Sequence, residues 1–526
     1  MAKGYLAFVL HAHLPYVRHP EYDTFLEERW LFEAITETYL PLIKIFDRLR
    51  KERVPGRLTL SLSPSLLAML EDELLMERYA AHLGKLIELS EKELERTRSE
   101  PHFHYLAGFY YALFKETQAV FERAGRRLAP MFKSLHQQGV IELITTAATH
   151  GLLPVLSVQP KAVKAQVVTG IEYFESVFGF RPAGMWLPEC GYYPGLDELL
   201  SREGIRFFVL ESHGLEHASV TPLYGVYAPL YTPSGVAAFG RDQGSAKQVW
   251  SAREGFPGHP DYREFYRDIG HDLEFDYLRP YLADGVRVDT GIKYYRITGP
   301  TAWKEPYHPE MAKARAAQHA AEFLYQRISH LEYLASTMEV APIMVAPFDA
   351  ELFGHWWFEG PKWLDFVIRK AAFDQEALEL VALSDYLDRH PVHQVGIPAT
   401  STWGYQGYLE GWLNGKTDWI YPQLYECAAR MEALAGRYRH EEPSPLVQRA
   451  LNQALRELLL AQSSDWPFIL NNETSTQYAA RRVKDHVARF RYLAEAVERE
   501  QIDAEKLAAL EAMDNLFPHA DYRVFL

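Results

Sequence analysis

Two segments of this 526-residue chain each place a carboxylic acid among aromatic side chains. Glu189 ends the segment Trp186-Leu-Pro-Glu189, and Asp349 begins the segment Asp349-Ala-Glu-Leu-Phe-Gly-His-Trp-Trp357. An ionised carboxylate can attack or stabilise an anomeric carbon, a protonated one can drive out the leaving oxygen, and an indole gives a pyranose ring a flat apolar face. If Glu189 and Asp349 converge in the fold, their chemistry is that of a glycosidase-type enzyme.

The elements that must bring the two acids together are short apolar runs separated by longer helical patterns. The runs cover residues 5–10, 58–62, 141–145, 205–210 and 343–346. Sheets covered on both faces require near-continuous apolar strands, so this alternation predicts a parallel β/α fold. Active sites of β/α barrels lie at the C-terminal ends of the strands. The polar residues expected there are His11, His13, His150, Glu211, His213 and Asp349.

Helical patterns dominate the C-terminal part of the chain. Residues 446–460 and 483–497 repeat apolar side chains at helical spacing, and residues 309–333 predict one or two further helices. The Gly- and Pro-rich stretch 222–260 predicts functional loops beside a substrate cleft. We therefore predict a catalytic barrel over residues 1–403, with insertions around 222–335, and a helical unit over residues 404–526 that contributes to the cleft.

Composition excludes several classes of function. A net charge of -15, without clustered Lys and Arg, argues against a nucleic-acid partner and suits a neutral polysaccharide. The two cysteines, Cys190 and Cys427, cannot make a disulfide framework, and no stretch approaches the ~20 apolar residues of a membrane span. The apolar run 5–10 is too short for a signal peptide, so a cytoplasmic protein is expected.

The ordered motifs of nearly the whole chain resemble glycoside hydrolase family 57, and within it the 1,4-α-glucan branching enzyme group. The motifs are His11-Ala-His-Leu-Pro-Tyr16, Ala148-Thr-His-Gly151, Trp186-Leu-Pro-Glu189, the Asp349 to Trp357 segment, Trp403 to Trp412, and Ser464-Asp-Trp-Pro467. The resemblance implies an α/β fold, an incomplete (β/α)7 TIM-like barrel with a helical insertion and an all-helical C-terminal domain. It also implies a retaining mechanism with no metal or cofactor, acting on α-1,4-glucan such as amylose or glycogen.

The same resemblance assigns separate roles to the two acids. Glu189 matches the nucleophile, Asp349 the general acid/base, and Tyr224 a loop tyrosine that shields the site and favours transfer over hydrolysis. In this hypothesis Glu189 attacks the anomeric carbon, Asp349 expels the downstream chain, and a glucan 6-hydroxyl then resolves the intermediate. Retention requires the two carboxyl groups to lie about 5 to 5.5 Å apart, and burial beside aromatic rings would raise the pKa of Asp349.

A further group of residues is predicted to bind substrate. By resemblance, four residues hold substrate through hydrogen bonds: Arg241, Gly258, Trp403 and Asp465. The aromatic rings that line the cleft are Trp250, Trp403 and Trp412. The strand-end residues His11, His13 and His150 are predicted to line subsites. The simpler interpretations are a solvated loop for Arg241, a turn for Gly258, and core packing for each Trp. If Asp465 binds substrate, the helical unit must close over the mouth of the barrel.

Several alternatives remain open at this stage. An α-amylase or a 4-α-glucanotransferase would share both carboxylates and differ only in what resolves the intermediate. A non-catalytic glucan-binding protein is disfavoured because both carboxylates are present. A zinc-dependent polysaccharide deacetylase or mannosidase would instead gather metal ligands from His11, His13, His150, Asp349, Glu351 and His355. The sequence leaves the oligomeric state open, a monomer included.

Overall fold

Seven parallel strands form a ring at the centre of the molecule, whose computed structural model describes residues 2–251, 254–282 and 285–526. The ring strands are β1 (Gly4–Ala12), β2 (Leu58–Leu62), β3 (Ile141–Ile144), β4 (Gly184–Met185), β5 (Phe207–Leu210), β7 (Ala237–Gly240) and β8 (Ile343–Asp349). Outside the ring, β6 (Leu230–Tyr231) pairs with β7 antiparallel, and β9 (Leu378–Leu380) pairs with β1. The ring strands are buried throughout except at isolated positions, which explains their continuous apolar sequence.

The ring closes through two single bridges between otherwise separate sheets. One sheet runs β3-β2-β1-β8 and the other β4-β5-β7. Parallel bridges from Thr145 to Met185 and from Arg241 to Val345 join the two sheets at their edges. The arrangement confirms the predicted seven-stranded barrel class, in which only these two single bridges connect the sheets.

Helices surround the barrel and connect its strands. The bounds are α1 (Glu28–Ala34), a π-helical turn (Ile35–Tyr39), α2 (Leu40–Lys51), α3 (Pro64–Leu70), α4 (Glu73–Arg96), α5 (Pro101–Arg123), α6 (Ala129–Gln137), α7 (Leu153–Leu156), α8 (Pro160–Phe178), α9 (Leu196–Arg202), α10 (Ser212–Glu216), α11 (Gln243–Trp250), α12 (Ile269–Asp272), α13 (Phe275–Leu278), α14 (Pro309–Thr337), α15 (Gly360–Phe373) and α16 (Leu383–Arg389). The helical hairpin α4–α5 was not predicted, whereas residues 309–333 do lie in one helix.

The C-terminal unit is helical, as predicted. Its helices are α17 (Tyr421–Arg437), α18 (Pro445–Ala461), α19 (Asp465–Asn472), α20 (Thr476–Glu498) and α21 (Ala504–Met513). Helix α18 begins where the Ser444 hydroxyl caps the amide of Val447, and its apolar positions are buried against α20. No helix in the described ranges is long and apolar enough to cross a membrane.

The end of α18 is fastened to the loop after β3. The Ser464 amide donates to the His150 carbonyl at 3.1 Å, and Gly151 forms a bridge with Ser463. The Thr149 hydroxyl donates to the Leu459 carbonyl. These contacts place residues 463–465 of the helical unit at the C-terminal end of the barrel strands, where the predicted catalytic residues lie.

Candidate active site

The register of the central strands brings the predicted residues to one end of the barrel. His11, near the end of β1, is the direct partner of Asp349 on β8 and of Ser61 on β2. Glu189 lies in the short turn that follows β4. Because all these strands are parallel, their C-terminal ends meet, and the two acids share one site.

Glu189 has both carboxylate oxygens occupied by donors. The Trp403 indole N–H donates to Oε2 at 2.8 Å, and the Ser464 hydroxyl donates to Oε1 at 2.9 Å. The backbone of Glu189 is left-handed, with φ 59°, a conformation that a non-glycine residue keeps only when its surroundings hold it. Burial raises the pKa of Glu189, while hydrogen bonds from Trp403 and Ser464 act in the opposite direction.

A chain of hydrogen bonds runs from Ser464 into the barrel core. Since its hydroxyl donates to Glu189, Ser464 accepts from His150 Nδ1 at 2.8 Å. His150 Nε2 must then accept from His11 Nε2, at 2.9 Å, and His11 Nδ1 accepts from the Ser61 hydroxyl at 3.1 Å. Burial lowers the pKa of both His11 and His150 well below the ordinary value, so both rings are neutral and their tautomers are set by this network.

His13 differs from its two neighbours in the direction in which its surroundings shift its pKa. Its Nε2 lies 3.0 Å from Asp465 Oδ2, and its Nδ1 lies 2.9 Å from the Ser63 hydroxyl. Burial lowers the pKa of His13, but the carboxylates of Asp465, Glu189 and Glu351 together outweigh it, and the net shift is upward. The His13 ring stacks on His150 with 3.9 Å between centroids. The pair of His13 and Asp465 therefore joins the barrel to the helical unit across the site.

Asp349 is half-buried and has no hydrogen-bond partner for its carboxyl group in the described part of the chain. Burial raises its pKa well above the ordinary value, and the negative charges of Glu351 and Glu189 raise it further, against a smaller opposing effect of Arg241. Because the charges of Glu351 and Glu189 both affect its pKa, the carboxyl group of Asp349 lies near both of theirs. Burial and the two neighbouring charges therefore favour the protonated form of Asp349, which suits it to the role of the acid.

Glu351 is a third carboxylate in the site, and its side chain is engaged. Oε1 accepts hydrogen bonds from the Tyr39 hydroxyl and, at 3.3 Å, from the His13 amide. Burial raises the pKa of Glu351 to about 6, with the Tyr39 hydrogen bond acting against that rise. Its position agrees with the preference for Asp349 as catalytic acid, and it gives Glu351 an electrostatic effect on Asp349.

Arg241 and Trp403 lie on the other side of Glu189. The Arg241 guanidinium donates to Glu211 Oε2 at 2.9 Å and lies 5.7 Å from the centre of the Trp403 ring. Trp403 packs edge-on against the buried Trp186, with 5.1 Å between ring centres. Trp186 in turn stacks on His11, so the ring that donates to the nucleophile rests on the barrel core.

Trp412 does not line the cleft, which corrects the prediction that it binds substrate. The side chain is 1% exposed, it stacks on Phe468, and a Cβ at Gly404 would meet its ring at 2.4 Å. An indole so enclosed supports the loop that carries Trp403 instead of contacting a glucan. The simpler interpretation, core packing, describes this residue.

Three other predicted residues make no contact with the acids in the described part of the chain. No contact between Tyr224, Trp250 or Gly258 and either acid is found among the described residues. Tyr224 is half-buried in a loop whose Leu223 amide donates to Gln394, Trp250 is 45% exposed at the end of α11, and Gly258 follows Phe256 in a turn. Their predicted roles would require a bound glucan that extends to them, and they stay predictions.

The ring nitrogens of His11, His13 and His150 are already engaged in hydrogen bonds. Every ring nitrogen of His11, His13 and His150 has a hydrogen-bond partner, and His355 Nδ1 is bonded to Glu37 at 2.7 Å. In the described ranges, the one group of potential ligand atoms within 4.8 Å of one another is Glu457, His486 and Asp514, in the helical unit, where Arg489 is already bonded to Asp514. The geometry favours the glycosidase interpretation over the zinc one.

The residues that position the acids by hydrogen bonds were not predicted from the sequence. Ser464 lies in the motif Ser464-Asp-Trp-Pro467, but no role was predicted for it. No role was predicted for the hydroxyls of Tyr39, Ser61 and Ser63 either. Their contacts join positions more than 40 residues apart, such as Ser464 and Glu189 at a separation of 275. The one signal in the sequence for Ser464 was its position next to Asp465, which was itself predicted to lie at the site.

Comparison with known proteins decides the family. Residues 7–399 match the model of glycosyl hydrolase family 57. The chain belongs to this family. Residues 423–525 of the family 57 chain match a second model, described as 1,4-alpha-glucan branching enzyme, C-terminal. These two matches confirm the resemblance found in the sequence motifs.

Relatives of this family 57 chain are named for two activities. It is 33% identical to the 1,4-alpha-glucan branching enzyme TK1436 of Thermococcus kodakarensis, over 98% of this chain and 77% of that protein. The solved structure of the alpha-amylase AmyC from Thermotoga maritima matches with a TM-score of 0.94 at 45% identity and 99% coverage of both chains. The GH57-type branching enzyme from Pyrococcus horikoshii matches with a TM-score of 0.89 at 33% identity, covering 100% of this chain and 97% of that one.

Replacing Ser464 with alanine should weaken the nucleophile. Loss of a hydrogen bond to a charged group is worth about 1.5–3 kcal/mol, so kcat should fall roughly 10- to 100-fold. Because the hydroxyl favours the ionised form, the pKa of Glu189 should rise, and the acid limb of the pH profile of kcat/KM should move to higher pH. Ser444→Ala, which removes the cap of α18, is the matched control: it should cost about 1 kcal/mol of stability and leave the acid limb in place. Wild-type kcat and acid limb in Ser464→Ala would contradict the assignment.

Replacing Glu351 with glutamine should lower the pKa of Asp349. After burial, the charge of Glu351 is the largest cause of the raised pKa of Asp349. Glutamine removes that charge, while its carbonyl oxygen can still accept a hydrogen bond from Tyr39. The alkaline limb of kcat/KM, which requires a protonated Asp349, should move to lower pH. Glu376→Gln, at an exposed position, serves as the control and should leave the limb where it is. An unmoved alkaline limb in Glu351→Gln would show that Glu351 does not act on Asp349.

Proposed function

We propose that this protein is a 1,4-α-glucan branching enzyme that cuts an α-1,4 linkage and transfers the released chain to a 6-hydroxyl, with retention of configuration. The observation that carries the proposal is the contrast between the two acids: Glu189 is held by two donors, and Asp349 has none and has a pKa well above the ordinary value. Two carboxyl groups whose environments differ in this way divide the roles of nucleophile and acid.

In the first step, Glu189 attacks the anomeric carbon while Asp349 gives its proton to the glycosidic oxygen of the leaving chain. The bond from carbon to the glycosidic oxygen breaks as the ester to Glu189 forms. Both oxygens of Glu189 begin with donors in place, so the carboxylate is oriented before substrate arrives.

In the second step, Asp349 acts as base. Part of its raised pKa comes from the charge of Glu189, and that charge disappears when Glu189 is esterified. The pKa of Asp349 therefore falls in the intermediate, which favours the ionised form that can take the proton of an acceptor 6-hydroxyl. The ester bond to Glu189 breaks as the bond from the anomeric carbon to O6 forms.

The acceptor separates the proposed activity from that of an amylase. A branching enzyme uses a sugar hydroxyl in the second step, and an α-amylase uses water. Similarity of residues 423–525 to the branching enzyme C-terminal model favours transfer, and that part of the chain also supplies Ser464 and Asp465 to the site. Similarity to the Thermotoga maritima alpha-amylase favours hydrolysis as the second candidate.

Incubation with amylose distinguishes the two candidates. We expect new α-1,6 linkages, counted by NMR and by a debranching enzyme, to exceed new reducing ends by a wide margin. Glu189→Gln is the control and should give neither product, because the neutral amide cannot form the ester. Reducing ends without α-1,6 linkages would make the protein an amylase.

Replacing Asp349 with asparagine should abolish turnover and stabilise the fold. In the folded state the pKa of Asp349 lies well above its unfolded value of about 4, so the wild-type chain loses stability as the pH rises from that value toward the folded pKa. Asparagine carries no such penalty. The melting temperature of Asp349→Asn should exceed that of the wild type at pH 7, and the difference should vanish below pH ~4. Equal melting temperatures of the variant and the wild type at every pH would show that the fold does not raise the pKa of Asp349.

A further inference from the structure

Two adjacent tryptophans after the acid/base residue have opposite surroundings. Trp357 is 2% exposed and packs among the rings of Tyr262 and Trp363, whereas Trp356 is 55% exposed. Core packing explains Trp357. It does not explain why a large aromatic ring is held at the surface beside it.

The Trp356 indole is held in one orientation. It stacks on Phe265 with 4.9 Å between centroids and 23° between planes, and its amide donates to the Glu351 carbonyl at 3.1 Å. Phe265 is fixed in turn, because the Lys293 ammonium lies 4.5 Å from its ring centre and is bonded to Asp289 at 2.7 Å. Since Phe265 covers one face and the side chain remains half exposed, the other face is open to solvent.

The open face belongs to the loop that leaves the strand of the acid/base residue. Trp356 lies in the turn that directly follows the short helix Ala350–Leu352 after Asp349, and its neighbour His355 is bonded to Glu37 at 2.7 Å. Glu37 lies in the π-helical turn that also carries Tyr39, the donor to Glu351. Because Asp349 protonates the leaving chain and activates the acceptor, the chains beside Asp349 are the leaving and acceptor glucans.

We propose that Trp356 forms a subsite for the α-glucan that leaves or accepts, with its open indole face stacked on one pyranose ring. Aromatic faces bind the apolar face of a sugar ring, and Tyr266, which is 80% exposed and packs edge-on against Phe265, offers a hydroxyl to the sugar beside it. The proposal rests on the proposed function, since it names where the acceptor chain of that reaction binds.

The size of the feature favours a sugar over a protein. A stable protein interface buries about 800 Å² on each partner, far more than one indole offers. One open ring face matches one pyranose ring, and Trp356 follows Asp349 in the loop after β8. An α-glucan that already occupies the site would reach it without a second binding event.

The experiment compares Trp356→Ala with the wild type on amylose. We expect KM for amylose to rise about tenfold and the ratio of transfer to hydrolysis to fall, because a poorly held acceptor leaves the intermediate to water. Phe373→Ala is the matched control: Phe373 is 64% exposed at the far end of α15, near the start of β1, and its loss should change neither quantity.

Two further variants separate binding from packing. Trp356→Leu keeps an apolar cover over Phe265 but has no planar face, and Trp356→Tyr restores one. A raised KM in the leucine variant at an unchanged melting temperature, with recovery in the tyrosine variant, supports the subsite. A KM and a transfer ratio in Trp356→Ala equal to those of Phe373→Ala overturn it. If the wild type forms no α-1,6 linkages but Trp356→Ala still raises KM, the subsite stands and the branching proposal fails.

Discussion

The site depends on the two hydrogen bonds that hold the carboxylate of Glu189. Its backbone lies in a left-handed conformation, one donor comes from the loop at Trp403, and the other comes from Ser464 in the helical unit. Neither donor is near Glu189 in the sequence. The nucleophile is therefore assembled only when the barrel, the loop and the helices are all in place, and the helical unit is part of the catalytic site instead of an attachment to it.

Charge is the second constraint. Glu189, Asp349 and Glu351 lie in one buried site, and their repulsion is relieved by different means. Glu189 accepts two hydrogen bonds, Glu351 accepts one from the Tyr39 hydroxyl, and the pKa of Asp349 is raised well above its ordinary value. These different surroundings suit Asp349 to bind and release a proton, because the raised pKa favours its protonated form.

The sequence predicts the parts of this arrangement that depend on local patterns. The strands with continuous apolar runs, β1, β2, β3, β5 and β8, and the helices α18 and α20 were predicted from such patterns. Strand β4 has only two residues, too few for a pattern to be recognised, and β7 reads Ala-Ala-Phe-Gly, with one large apolar side chain where the equally short β3 and β5 have several. Trp412 was assigned to the cleft and is buried, because residue type cannot distinguish a ring that faces a glucan from one that supports a loop. The contact of Ser464 with Glu189 depends on tertiary structure and leaves only its motif in the sequence.

The distribution of free hydrogen-bonding groups bears on how transfer competes with hydrolysis. Behind Glu189, every ring nitrogen of His11 and His150 already has a hydrogen-bond partner, so neither ring offers a free base to activate water. Within the described ranges, Glu189, Glu351 and Asp465 accept hydrogen bonds, whereas the carboxyl group of Asp349 has no partner. Whichever hydroxyl lies beside Asp349 is the one that is deprotonated, whether it belongs to water or to a sugar. The product is therefore decided on the acid/base side, by how firmly that side holds a glucan and excludes water, and not by the nucleophile, which serves both reactions equally.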